Sequence, residues 1–489
     1  MATTAEYLNK LVEQKNTLAD NLVAKGVSAT HDETFETLIP KVLDISGGGD
    51  GGIYPIGTNG RPTGDVTIPS NVTTVSRYIF RENNNITSVK VPESVQSFES
   101  EAFKNCSNLK TINLTNNFTQ IETQCFYGCA NLTDVSVPEG IEGLVLKEYA
   151  FNGCTKLTDK SVNDLCSHIK AQSTYANVFS NCSSLENVIT NYAFDSWFSY
   201  CANLKNVIIK LGDNIGSSTF DGCSNLISVE LPESLQTLGG YCFQDTGITT
   251  ITIPSTVTNI GYECFYRCAN LKNITINDGA NYTIDTYAFS NCTSLTNDDV
   301  ANIMAHCNIE KSINSSSIFS DCTSITEVSV PFLSDTIFSG CSELLKATST
   351  EAYNVGRYAF RDCVKLEEVI IAEGTKDINY SVFDNCTALK TVYLPSSITN
   401  ENYLFATNSN NIFYYCINLE DVKLGSDWSL SLRLSFSDNL TADSMVNMFN
   451  SLKDLTDATT KTLVLGSTNL AKLSDEQKSI AINKNWTLA

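Results

Sequence analysis

The sequence predicts a mostly-β, α/β solenoid of about fifteen turns, with a helical hairpin at the N-terminus and a cap at the C-terminus. Three observations carry this expectation. The pattern Phe-x-x-Cys-x-x-Leu/Ile recurs thirteen times along the 489 residues. Most successive phenylalanines stand 22 to 25 residues apart, a period at which one small unit stacks on the next. A short segment of alternating apolar residues follows the pattern, the signature of a half-buried strand.

The copies begin at Phe103, Phe126, Phe151, Phe179, Phe198, Phe220, Phe265, Phe289, Phe319, Phe338, Phe360, Phe383 and Phe413, and two further turns at Phe80 and Phe243 keep the Phe and lose the Cys. The strand is legible in Leu109-Lys-Thr-Ile112-Asn-Leu114 and in Leu226-Ile-Ser-Val229-Glu-Leu231. A proline often closes it, as at Pro92, Pro232 and Pro395, because proline cannot donate to a ladder. The residue before the Cys is Asn, Asp or Gly in ten of the thirteen copies, which predicts a tight turn with positive φ. Phe, Cys and Leu then face inward. The repeat core includes Phe103, Cys106 and Leu109; Phe126, Cys129 and Leu132; Phe220, Cys223 and Leu226; Phe360, Cys363 and Leu366; and Phe383, Cys386 and Leu389. Each buried Phe contributes about 1.5–3 kcal/mol.

On these motifs, segments such as LPESLQTLGGYCFQDTGITTITIPSTVTNIGYECFYRCANLKNITI resemble the BspA-type leucine-rich repeat of bacterial surface proteins. The resemblance spans 61–425. It implies a leucine-rich-repeat solenoid used for adhesion and ligand binding, with no enzymatic activity. It carries over no ligand-binding residue, because the repeat motif is structural.

The spacing also shows a larger repeat. Gaps of 28, 19, 22 and 23 residues follow Phe151, and gaps of 30, 19, 22 and 23 follow Phe289, so a block of about 140 residues is duplicated. The long gaps predict a helix in place of a strand. Thr158 caps one carrying Val162, Leu165, Cys166 and Ile169. Thr296 caps one carrying Val300, Ile303, Met304 and Cys307. Near the end, Thr441 caps one carrying Met445, Met448, Phe449 and Leu452. We expect these helices on the convex side of the solenoid.

Residues 1–46 read as a separate helical hairpin. Leu8, Leu11, Leu18 and Leu22 follow a heptad seam with Lys15 at its remaining position, and Gly26 ends the helix. Phe35, Leu38, Ile39, Val42 and Leu43 form a second apolar face, and 47–60 is a glycine-rich linker. So small a hairpin lacks a core of its own. It is expected to dock on a partner or to make the chain a homo-oligomer, with a trimer as one form. Residues 426–489 form the cap. TTAEYLNKLVEQKNTLADNLVAKGVSATHDETFETLIPKVLDI resembles N-terminal segments of tailed-phage structural proteins, and the last fifty residues resemble caps of repeat proteins from the same phages and prophages. These resemblances imply a virion-attached protein, in a tail fibre or baseplate, that binds other virion proteins through 1–46 and a host-surface glycan or protein through the repeats. A purely structural virion component and a bacterial surface adhesin are the alternatives. The first residues carry no secretory signal pattern, as expected for a phage protein made in the host cytoplasm and released by lysis.

Composition excludes other classes. A net charge of −22 opposes binding to nucleic acid and to anionic membranes. No run is long and apolar enough to span a bilayer. Most of the 18 cysteines fall one per turn, where parallel side chains about 4.8 Å apart suit neither a disulfide nor a metal. Cys125 with Cys129 and Cys264 with Cys268 form CxxxC pairs but lack a second pair for zinc. His168 and His306 match through the duplication alone, and no metal or cofactor is expected. SGGGDGG lacks the lysine of a phosphate loop. Tyr149, Tyr287 and Tyr358 recur two residues before the Phe. Exposed aromatic rows can stack on sugars, but in a strand this place is inward or at an edge, so packing is the favoured reading. Ligand-binding residues stay unassigned.

Overall fold

The computed structural model describes residues 4–24, 29–34, 62–141, 143–169 and 175–489, without the side chains of 4–11 and 23–24. Gly26, the apolar face at Phe35–Leu43 and the glycine-rich linker lie outside the described residues. The chain forms two compact units, Met1–Gly212 with Thr219–Leu226, and Asp213–Ser218 with Ile227–Ala489.

In the first unit, strands Gly64–Thr67, Ile86–Lys90, Thr111–Asn113 and Asp134–Ser136 form a parallel sheet. Val66, Val89, Ile112 and Val135 share one register position, and all are buried. Period two places these β-branched residues inward and their polar neighbours outward. A second parallel row runs through Thr74–Val75, Ser97–Phe98, Gln120–Ile121 and Val145–Leu146. Between the rows, the rings of Phe80, Phe103, Phe126, Phe151, Phe179, Phe198 and Phe220 stack at 5.1–5.9 Å with planes within 12° of each other.

The second unit repeats the scheme. Its largest sheet joins Glu327–Val330, Lys346–Ser349, Glu368–Ile370, Thr391–Leu394 and Asp421–Leu424, with Val328, Ala347, Val369, Val392 and Val422 in register and buried. The rings of Phe243, Phe265, Phe289, Phe319, Phe338, Phe360, Phe383 and Phe413 stack at 5.1–6.0 Å within 19°.

The predicted left-handed turn before each Cys is present in all thirteen copies, even where Tyr200, Arg267 and Tyr415 replace the permissive residues at φ of 58–60°. Non-glycine residues rarely adopt this region. The ladder overrides that preference: the N–H of Tyr200 donates to Asp221 O and that of Arg267 to Ser290 O, each bond binding one coil to the next.

The inserted helices form as predicted, at Asp159–Ser167, Asn297–Ala305 and Ala442–Ser451, with Thr158, Thr296 and Thr441 as N-caps. Ile169, Cys307 and Leu452 fall just beyond them, in isolated parallel bridges. Instead of lying on a side away from the sheet, the helices occupy the row of the main strands. The helix at 159–167 packs between strands Asp134–Ser136 and Asn187–Thr190, and that at 297–305 between Ile274–Ile276 and Glu327–Val330. Each breaks the backbone ladder, and side chains make up the lost bonds. The third helical residue accepts the strand N–H on one side: Val135 N to Ser161 Oγ (3.0 Å), Ile274 N to Asp299 Oδ1 (2.9 Å) and Val422 N to Ser444 Oγ (3.1 Å). On the other side, Asp159 accepts from the N–H of Glu186 and Asn187, and Asn297 Oδ1 accepts from those of Thr326 and Glu327. Buried backbone groups demand such partners. His168 and His306 are the C-caps of the duplicated helices, each donating from Nδ1 to the carbonyl four residues back, Asp164 O and Asn302 O.

At the C-terminus, Leu432–Arg433, Lys461–Val464 and Trp486–Leu488 form a last parallel sheet beside the helices Ala442–Ser451 and Asp475–Ile482. Lys484 Nζ donates to the carbonyls of Phe449, Asn450 and Leu452, closing a helix end that lacks intrahelical partners.

Candidate functional site

The repeat residues are all interior. Phe103, Cys106, Leu109 and their counterparts through Leu389 are at most 1 % exposed. Every pattern cysteine does more than fill space. Its thiol donates to the carbonyl of the preceding Phe of the stack, from Cys106 to Phe80 through Cys416 to Phe383, at 2.9–3.4 Å. A residue here must be small, apolar and able to donate once, which is the description of a cysteine. Where the Cys is lost, Thr246 donates to Phe243 O and Asn83 to Pro62 O. Cys125 and Cys264 of the CxxxC pairs sit directly before the Phe, a buried place held elsewhere by Ala102, Val178 or Ile318. Burial raises these thiols well above their ordinary range. Reactive thiols need the opposite. Among the described residues no group of three or more His, Cys, Asp or Glu is arranged to hold a metal ion.

In the N-terminal helix Thr4–Ala24, the side chains of Leu8 and Leu11 lie outside the description. Leu22 is fully buried and Leu18 partly so, both packed with Ala19 and Ala29. Lys15 donates to the His31 carbonyl, and His31 Nε2 meets Asp20 at 2.7 Å. Residues 29–34 thus cover one side of the seam within the same chain.

The exterior carries the groups that can meet a ligand. In the second unit, Tyr241, Tyr262 and Tyr287 form an edge-to-face row with centroids 5.3 and 6.1 Å apart, each ring 36–38 % exposed. Tyr358, Tyr380 and Tyr403 form another at 5.2 and 5.6 Å, half-buried. Edge-to-face contact fixes the ring planes relative to one another. The Glu263 carboxylate accepts the Tyr262 hydroxyl and, with partial burial, pushes that phenol up to about 12. Arg361 lies over the Tyr358 ring at 5.4 Å and Arg357 over Tyr380 at 5.8 Å.

The structure corrects the expectation that the tyrosines two places before the Phe stand inward or at the edge of a strand. Tyr149, Tyr287 and Tyr358 have φ of 56–59°, so they stand in a left-handed turn and not in a strand. Tyr287 is exposed, while Tyr149 and Tyr358 are half-buried. Tyr262 and Tyr380 escaped the sequence reading because they lie three residues before the Phe, one step out of register with their neighbours.

The profile of the BspA type leucine rich repeat region matches residues 60–186, 146–209, 189–326 and 302–420. No curated protein matches the chain by sequence. Among solved structures, a leucine-rich repeat protein from Bacteroides ovatus is similar at 23% identity and TM-score 0.56, covering 74% of this chain and 94% of that one. A leucine rich cell surface protein from Faecalibacterium prausnitzii shares 18% identity over 77% of this chain and 94% of that one, at TM-score 0.33. One from Eubacterium ventriosum shares 18% over 75% and 87%, at TM-score 0.30. Fold, spacing and profile agree over most of the sequence, and the chain belongs to the BspA-type leucine-rich repeat family.

Proposed function

We propose that the chain is a non-enzymatic binding protein that recognises a bacterial surface glycan or protein through its repeats, carried on a phage virion as a tail-fibre, baseplate or other appendage protein. The observation that supports the recognition role is the division of labour within each coil. Phe, Cys and Leu are consumed by stacking and hydrogen bonds inside, while tyrosine rows are held outside in fixed orientation. The virion setting rests on the resemblance of the two chain ends to phage proteins. In this reading residues 1–46 anchor the chain to other virion proteins and bring copies together, and 61–425 bind. Several copies on one particle raise avidity even where each site is weak.

Fluorescently labelled full-length protein, added to cells of the bacterium in which it is made, tests recognition. Saturable binding that also blocks phage adsorption is expected. Absence of binding favours a purely structural virion component. Immunogold labelling tests the setting: gold on particles is expected, and gold on uninfected cells instead establishes the second reading, a bacterial surface adhesin, which the family match favours.

A further inference from the structure

The duplicated blocks differ in an aromatic cluster of the first copy. In the first copy Phe194 packs with its ring 5.0 Å from Trp197 and 5.9 Å from Tyr192. The residues 140 positions on are Ser334 for Phe194 and Ile337 for Trp197. Around Ser334, in the second unit, lies a cleft of about 420 Å³ bordered by Asn314, Asp335, Tyr353, Asn354 and Asn379. Ser334 thus lines the cleft at the place of Phe194, while Ile337 takes the place of Trp197 in the core.

The chemistry of the cleft is specific. Ser334 is 5 % exposed, and its hydroxyl has no hydrogen-bond partner. Native proteins rarely leave such a group orphaned, and each instance calls for an account. Asn354 Oδ1 accepts from Asp377 N and Asn379 Nδ2 donates to Val355 O, which leaves one amide donor and one amide acceptor facing other partners. Asp335 carries the one formal charge on the lining; the Arg357 guanidinium neutralises it through Nε at 2.7 Å, and the Arg357 backbone N–H donates to it at 2.6 Å. The same guanidinium reaches over the ring of Tyr380, which follows Asn379 and stands at the middle of the row from Tyr358 to Tyr403. The result is a charge-balanced recess of hydroxyl and carboxamide groups that opens beside an aromatic row.

We propose that this cleft binds a neutral saccharide, with one sugar ring in the recess, hydrogen-bonded to Ser334, Asn354 and Asn379, and its neighbours against the Tyr380 row. Sugar hydroxyls both donate and accept, which matches carboxamides, and sugar C–H faces pack on aromatic rings. An anionic polymer is opposed by the overall charge of −22. This deepens the recognition reading above and rests on it.

Saturation-transfer NMR of the full-length protein with maltotetraose, cellotetraose, mannotetraose and chitotetraose tests the inference. At least one of the four is expected to receive saturation. The double variant Asn354→Ala/Asn379→Ala should weaken it by about tenfold or more. Ser334→Ala should weaken it several-fold while leaving the melting temperature unchanged or raised, because its hydroxyl bonds nothing in the free protein. Binding of none of the four, binding indifferent to the double variant, or a melting temperature lowered by Ser334→Ala each overturns the inference. Cell binding separates it from the wider reading. A double variant that still binds cells like the unaltered protein removes the cleft and spares surface recognition. An unaltered protein that binds no cells removes surface recognition.

Discussion

The two copies of the duplicated block keep the same repeat core and differ around it. Inside, Cys201 and Cys341 each donate to the Phe carbonyl of the coil before, and His168 and His306 cap equivalent helices. Outside, Ser217, Ser218 and Gly240 of the first copy correspond to Arg357, Tyr358 and Tyr380 of the second. An interior residue answers to the coils above and below, and close packing penalises a change of even one methylene. A surface residue answers only to solvent and to whatever touches it. A duplicated solenoid can therefore hold its frame while one copy acquires new surface chemistry.

The largest test of the shared interior is alkaline. Burial pushes Cys201 and Cys341 up to about 12, Cys166 to about 12 and Cys307 to about 11. Unfolded thiols ionise near about 8.5. The folded value lies above the unfolded one, so the stabilisation is complete below about pH 8.5 and drains away as pH climbs toward the folded value. Each protected thiol contributes about −1.4 kcal/mol per pH unit within that window. Denaturant titrations under reducing conditions from pH 7 to 10 should show a steep loss shared by both copies; a flat profile means the thiols are not shielded. Next in size, Phe220→Ala and Phe360→Ala should each cost about 3–5 kcal/mol by urea unfolding, and unequal losses would break the equivalence of the two stacks.

The inserted helices sharpen the comparison at smaller scale. Asp299 accepts from Ile274 N, Thr296 N and Thr296 Oγ1, whereas Ser161 accepts from Val135 N and meets Thr158 Oγ1. Asp299→Ala should therefore cost about 2–3 kcal/mol and Ser161→Ala about 1–2 kcal/mol, measured by the same unfolding assay. Equal costs would mean that the capping box adds nothing to the bond with the strand. Smallest of all, Thr158→Ala and Thr441→Ala should each lose about 1 kcal/mol as simple N-cap deletions, read as a small shift in denaturation midpoint.

What was legible in the sequence is what repeats. Phe103, Cys106 and Leu109 announce the interior because twelve more copies fall in the same register, and the N-cap threonines stand where apolar spacing changes from two to three and four. Three things were hidden. The thiol's bond to the preceding Phe carbonyl depends on backbone placement one coil away. The role of Ser161 and Asp299 in closing a broken sheet edge appears only once the helix is known to stand within the strand row. The tyrosine rows join residues at unequal distances from the Phe, so no single period displays them. Local pattern gives the coil, and relations between coils need coordinates.

The cysteine series has a practical consequence. A buried thiol reacts with an alkylating reagent only when its own coil comes apart, and the series sets one such thiol at nearly every step of the stack. Brief exposure to iodoacetamide followed by peptide mass mapping would record, residue by residue, where the molecule first loosens. The chain carries its own set of clocks for local opening, installed for packing and readable without any added label.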